Sequence, residues 1–169
     1  DDKPPFVTIV EAGMLAKVGV NAAGVGLCTN TLVSREDAGG QGVPYHVMLR
    51  TLLDAASVAE AARTLASAQR ALSANYLLAD RSGEAVNFET IAGGKAQIRS
   101  MRPHGGLLAH ANHFLDPQFA AIDAYVANSP HSITRLEDIR RGLAAGERLD
   151  VRRLEEVLRS HDHAPNGVC

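Results

Sequence analysis

The sequence predicts an α+β domain, and three observations carry that prediction. β-rich runs cluster in two blocks, residues 6–31 and 74–111. Runs with helical apolar spacing lie between the blocks and after the second one. Tight turns at 21–24 and 81–83 join neighbouring runs, as antiparallel strands require. Segregated strands and helices imply a sheet packed on helices in layers.

The first strand is expected over 6–12 (FVTIVEA), bounded by Pro4-Pro5 and Gly13. The second is expected over 15–20 (LAKVGV) and the third over 25–31 (VGLCTNT), with Asn21-Ala22-Ala23-Gly24 turning between them. Together they read as a meander. Residues 33–42 form a polar, Gly-rich loop without the glycine spacing of a phosphate cradle. A helix follows over about 44–55, with Pro44 in its first turn and Leu49, Leu52 and Leu53 on one face. Ser57-Val58-Ala59-Glu60 is a capping box opening a second helix to about Gln69. Four strands are expected at 74–80, 84–91, 95–101 and 106–111, and helices at about 116–127, 134–144 and 151–160, the last capped by Asp150. Periodicity alone leaves open whether the strands make one sheet or two.

A chain of 169 residues fits one domain, 1–169, with a core of its own. Apolar residues at 46% and charged residues at 21% are ordinary for a globular protein. A net charge of -2 gives no electrostatic footprint for nucleic acid or an anionic membrane. An aromatic share of 4% without Trp argues against a base-stacking platform. Two cysteines, Cys28 and Cys169, are too few for a disulfide framework. With no leader pattern in DDKPPF and no apolar run near the roughly 18 residues of a membrane span, a cytoplasmic location is expected.

Four segments resemble one family in order and spacing: VTIVEAGMLAKVGVNAAGVGLCTN (7–30), GVPYHVMLRTLLDAAS (42–57), SANYLLADRSGEAVNFE (73–89) and GLLAHANH (106–113). The closing HDHAPNGVC (161–169) is a fifth. The chain is similar to the acyl-coenzyme A:isopenicillin N (6-aminopenicillanic acid) acyltransferase family of cysteine N-terminal-nucleophile (Ntn) hydrolases. The resemblance implies an αββα sandwich, with two antiparallel sheets stacked between helical layers. It also implies self-cleavage of a precursor before a Cys, whose thiol attacks an amide or thioester while the freed α-amino group serves as base. A Cys thiol is mostly protonated near neutral pH, so an adjacent amine is needed to take its proton. The substrate implied is a small acyl amide or an acyl-coenzyme A, and no cofactor or metal is implied. The chain starts at Asp1, without the family's nucleophilic Cys and the acidic motif near it. It is therefore expected to be a partial chain lacking the nucleophile strand and the C-terminal strands, with a second chain or another segment supplying the thiol. An inactive Ntn-fold binding domain is the alternative.

By resemblance, Asn112 in HANH is the side-chain amide that donates to the oxyanion, and Asn30 in LCTN is a second such donor. The plainer readings are a strand-ending Asn capping the helix near 116, and a turn residue. Ser73 matches a serine near the family's site and is the candidate substrate contact; the plainer reading is a strand entrance. Cys28 is rejected as nucleophile because it lies mid-strand without a basic neighbour and suits a small buried apolar side chain. Glu11 and Lys17 read as a hairpin charge pair. His104, His110, His113, His131, His161 and His163 raise a zinc-hydrolase reading, but their spacing does not make their directions converge. Arg50 and Arg70 are the cations considered for a coenzyme A thioester. The Arg-rich stretch 135–153 reads as a solvated helical face.

Overall fold

The computed structural model describes residues 2–37, 39, 41–143 and 149–169. Its β-rich blocks pair in sequence order into one six-stranded antiparallel sheet: β1 (Phe6–Ile9), β2 (Val18–Asn21), β3 (Gly26–Thr31), β4 (Ala74–Ala79), β5 (Ala85–Thr90) and β6 (Ile98–Met101). Helices α1 (Tyr45–Leu52) and α2 (Val58–Ser67) lie between β3 and β4 in sequence, and α3 (Pro117–Ala120), α4 (His131–Leu143) and α5 (Val151–Leu158) follow β6. The α+β class and the opening meander are as expected.

Strand alternation gives the sheet two unlike faces. On the first, Leu27, Tyr76, Leu78, Val86 and Phe88 pack into one core with Met48, Leu49, Leu52 and Leu53 of the α1 segment and Val58, Ala61 and Leu65 of α2. Each leucine buried completely here contributes about 1.5–3 kcal/mol. Burial of the Tyr76 phenol in this core pushes its pKa up. The capping box forms as expected: Ser57 Oγ accepts from Glu60 N at 3.2 Å, and the Glu60 carboxylate accepts from Ala56 N at 2.8 Å. Asn21 does more than turn the chain. Its buried amide donates to the carbonyls of Leu53 (3.0 Å) and Ala55 (2.7 Å), and its Oδ1 accepts from Val25 N, so the β2–β3 turn is stitched to the end of α1.

The second face divides in two. Toward β1, Val7 and Ile9 stand 73% and 77% exposed beside Val18, Val20 and Leu77, leaving an open apolar surface. Toward β5, the chain leaving β6 crosses the sheet and buries Asn75, Asn87 and Glu89.

Several sequence expectations need correction. Residues 106–111 do not continue the sheet. Gly105 and Gly106 take positive φ, the chain folds into an isolated bridge between His104 and Leu107, and His110 is drawn across the face to Glu89. The described residues thus supply one sheet and its helical layers, and the second sheet of the expected sandwich is not formed among them. The helix expected at 116–127 stops at Ala120, because the Asp123 carboxylate takes the amides of Phe114, Tyr125 and Val126 and Ala124 N bonds to the Val33 carbonyl. The first strand ends at Ile9, and Lys95–Gln97 is a 3-10 turn ahead of β6. Helix α4 starts at His131 instead of 134, while position 144 and Arg148 lie outside the described residues, as do positions 38 and 40 of the Gly-rich loop. Among the described residues no helix is long and apolar enough to cross a membrane.

Candidate active site

The two asparagines singled out from sequence both lie near the end of β3, Asn30 on the strand and Asn112 bonded to Thr31. Asn30 projects from the second face, where strand pairing sets it opposite Asn75. Asn75 Nδ2 donates to Asn30 Oδ1 at 3.3 Å, which turns the Asn30 Nδ2 away from Asn75 and leaves it free to donate among the described residues. Asn112 Nδ2 donates to the Thr31 carbonyl at 3.1 Å, one residue beyond Asn30. An amide nitrogen carries two protons, and the second on Asn112 Nδ2 has no acceptor among the described residues. Two neutral, half-buried carboxamides therefore flank one strand end.

Asn112 is held from three sides. Its Oδ1 accepts from Arg135 Nη2 at 3.0 Å, its side-chain amide grips Thr31, and its backbone N donates to Ser132 Oγ at 2.8 Å. Arg135 thus departs from the solvated-face reading of the Arg-rich stretch: it sits on α4 with its guanidinium against Asn112. The alternative reading of Asn112, a cap on the helix near 116, is not what forms. Asp116 caps α3 instead, accepting from Gln118 N at 3.0 Å.

The segment around Asn112 has no regular structure, yet side chains take its backbone donors. Ser132 takes residue 112, Asp123 takes residue 114, and Glu89 takes residues 115 and 116. Ser132 Oγ, already accepting from Asn112 N, also lies 2.9 Å from His113 Nδ1. Burial lowers the His113 pKa, reinforced by His110 and opposed by Asp123 and Glu89. On acidification the unfolded chain protonates first, so the stability from neutral His113 is full above about pH 6.5 and is lost as pH falls through the folded value. Unfolding midpoints measured from about pH 7.5 to 5.5 should drop, by at most about 1.4 kcal/mol per pH unit for this one proton. His113→Gln should flatten that slope, and an unchanged slope would assign the acid sensitivity elsewhere.

Ser73 lies on the same face, 4% exposed, at the entrance to β4. Its hydroxyl donates to Asp37 Oδ1 at 2.8 Å and its backbone N bonds to the same oxygen at 3.1 Å, pinning the 34–37 turn to the sheet. Cys28 lies on this face as well, two residues before Asn30, exposed instead of buried. Desolvation by its apolar surroundings holds its thiol pKa up, against the needs of a nucleophile. Glu11 and Lys17 form the expected exposed pair at 2.7 Å. Neither arginine considered for coenzyme A is free: Arg50 pairs with Asp54 and stacks over Phe6, and Arg70 is buried against backbone carbonyls. The histidines go separate ways, His110 to Glu89, His113 to Ser132 and His163 to Asp138, and no three potential metal ligands come together among the described residues.

A cavity of about 820 Å³ opens on the same side of the sheet, walled by Met101, Leu107, Leu108 and Leu115, with Arg102 and Arg140 also in its lining. Asn30, Asn112 and Ser73 are not in its walls, although Leu115 joins it to the Asn112 segment. Asn87 lies at its edge, 1% exposed, with both side-chain amide atoms lacking a protein partner among the described residues. Sequence reasoning missed Glu89, Asn75, Asn87, Ser132 and Arg135. The available signal was the alternation V-N-F-E, which sets Asn87 and Glu89 on one face of β5.

A family model described as acyl-coenzyme A:6-aminopenicillanic acid acyl-transferase matches residues 1–162. The 40 kDa form of acyl-coenzyme A:6-aminopenicillanic-acid-acyltransferase from Emericella nidulans is 29% identical over 112 residues, which are 66% of this chain and 30% of that protein. A solved variant of conjugated bile acid hydrolase from Clostridium perfringens is similar at 20% identity and a TM-score of 0.45, over 63% of this chain and 37% of the other. The chain spans about a third of the length of these relatives.

Proposed function

The chain belongs to the acyl-coenzyme A:6-aminopenicillanic acid acyltransferase family, and on that premise we propose that it forms the oxyanion-binding wall of a cysteine amidohydrolase or acyltransferase. In this reading Asn112 and Asn30 donate to the oxygen that becomes negative when a thiol attacks an amide or thioester carbonyl. The observation that carries it is the pair of carboxamides at the end of β3, one oriented by Asn75 and the other by Arg135 and Thr31. Donors fixed before reaction act where charge develops only in the transition state.

In this reading the attacking thiol comes from outside these 169 residues, on the same chain or a second one, since Cys28 lies within β3 and carries no free α-amino group beside it. The open apolar strip around Val7, Ile9 and Val20 is the surface on which that part packs, sheet against sheet. In this reading Ser73 acts on substrate only through the Asp37 turn that it pins, and the leucine-walled cavity takes an apolar acyl group. The α-amino group of the nucleophile takes the thiol proton and returns it to the leaving amine. The acyl-enzyme then passes to water or to another amine.

Intact mass of the gene product tests the proposal. The expected result is two chains, one with a new N-terminal Cys, that gains one acyl mass when mixed with an acyl-coenzyme A. A single uncut chain that takes up no acyl group would leave a binding domain of the same fold in its place.

A further inference from the structure

Glu89 is a fully buried carboxylate, although strand alternation sets it on the sheet face away from the main apolar core. Burying an ionised carboxyl is costly unless hydrogen bonds replace its water. Among the described residues no lysine or arginine bonds to it. Arg99 stands opposite in register on β6, but its guanidinium goes to Gln118, Asp116 and local carbonyls. All the compensation comes from one segment. Glu89 Oε1 meets His110 Nε2 at 2.7 Å and accepts from Leu115 N at 2.5 Å, and Oε2 accepts from Asp116 N at 2.9 Å. The second ring nitrogen of His110 is used too, with Nδ1 2.6 Å from the Ala111 carbonyl. The imidazole is thereby locked between the sheet and its own backbone. The carboxylate holds the segment at residue 110 and again at 115–116, on either side of Asn112.

We propose that Glu89, with His110 as its arm, is a positioning residue that bolts the Asn112 segment to β5 and sets the distance of the Asn112 amide from the reacting oxygen. This rests on reading Asn112 as an oxyanion donor. The segment borrows its rigidity from the sheet, since it has no ladder or helix of its own. A donor misplaced by about 1 Å loses on the order of 100-fold in rate while substrate binding is spared.

The test is a double-mutant cycle on the complete enzyme, with an acyl-coenzyme A donor and 6-aminopenicillanic acid as acceptor, or a chromogenic acyl nitroanilide when no acceptor is used. Glu89→Gln keeps the shape but sets an amide nitrogen against one of the N–H donors. It should lower kcat about 10–100-fold per folded site with KM nearly unchanged. In an Asn112→Ala background the same change should cost little more, because the group it positions is gone. If Glu89→Gln fails to fold, His110→Gln, which leaves the carboxylate and its two backbone bonds in place, carries the same comparison with a smaller loss. Losses that multiply in the double variant, or an unchanged kcat per folded site, would overturn the proposal while leaving Asn112 as donor. Full turnover by Asn112→Ala alone would instead remove the reading beneath it.

Discussion

Asn112→Ala in the complete enzyme is expected to lower kcat about 100–1000-fold, the usual loss for one oxyanion donor. The fold should survive it. The side chain is only partly buried, and the bonds it gives up, to Thr31 O and from Arg135, are worth about 1 kcal/mol each or somewhat more for the charged one. Asn112→Asp is the sharper variant. It keeps the size and the Arg135 contact but sets a carboxylate oxygen where the donating nitrogen stood, against both the Thr31 carbonyl and the developing charge. Its turnover should be as low as that of the alanine variant or lower, with KM shifted less than kcat. Single-turnover acylation measured beside circular dichroism separates chemistry from folding. Acylation at the wild-type rate in either variant would mean that Asn112 plays no part in the chemistry.

Asn30 supplies the comparison. It lies on a strand paired along its length, so its position is fixed by the ladder alone. Asn112 depends on Arg135, Ser132 and Glu89, which come from α4 and β5. Disturbance elsewhere in the molecule should therefore reach the site through Asn112 before it reaches Asn30.

That contrast also explains what the sequence made legible. The meander, the capping box and the 81–83 turn are local: each depends on residues within a few positions of one another, and each formed. Asn30 was singled out on a family-like segment alone, and the ladder sets it opposite Asn75. Residues 106–111 misled because Leu107, Leu108 and Ala109 have strand-like apolar character. What diverts them is a carboxylate at position 89, far away in sequence and two elements earlier in the fold. Alternation alone sets Glu89 on the face of an antiparallel sheet that can meet solvent. Its burial comes entirely from the crossing segment. Arg135 was lost among the charges of α4 because no spacing rule distinguishes the one arginine that faces Asn112 from those that face water. Only contacts distant in sequence separate these residues from their neighbours, so single-sequence patterns pass over them.

The second large effect is structural and falls on Arg70. This side chain is 1% exposed with no carboxylate partner. Its Nη1 donates to the carbonyls of Leu65 (2.9 Å) and Ala68 (3.0 Å) at the end of α2, and its Nη2 donates to those of Gly94 and Gln97 (3.4 Å) ahead of β6. Its backbone exchanges two bonds with Gly93 at 2.9 Å each. One guanidinium thus closes the terminus of α2 and fastens it to the β5–β6 connection through four carbonyls, of which those of Gly94 and Gln97 also accept backbone bonds from Gln97 N and Ile91 N. A planar fork with several fixed donors can do this, and an ammonium cannot. Arg70→Ala leaves a cavity and takes the guanidinium from the Leu65 and Ala68 carbonyls, each orphan costing about 1–3 kcal/mol before relaxation, while Gly94 O and Gln97 O keep their backbone bonds. A net loss of about 3–5 kcal/mol is expected, lowering the melting temperature by roughly 10 °C for a chain of this size. Arg70→Lys should recover only a minor part, because one nitrogen cannot span α2 and the 94–97 turn together. Thermal melts of the three proteins decide the matter. If Arg70→Ala melts within about 2 °C of the parent, the guanidinium is not what joins α2 to this edge of the sheet.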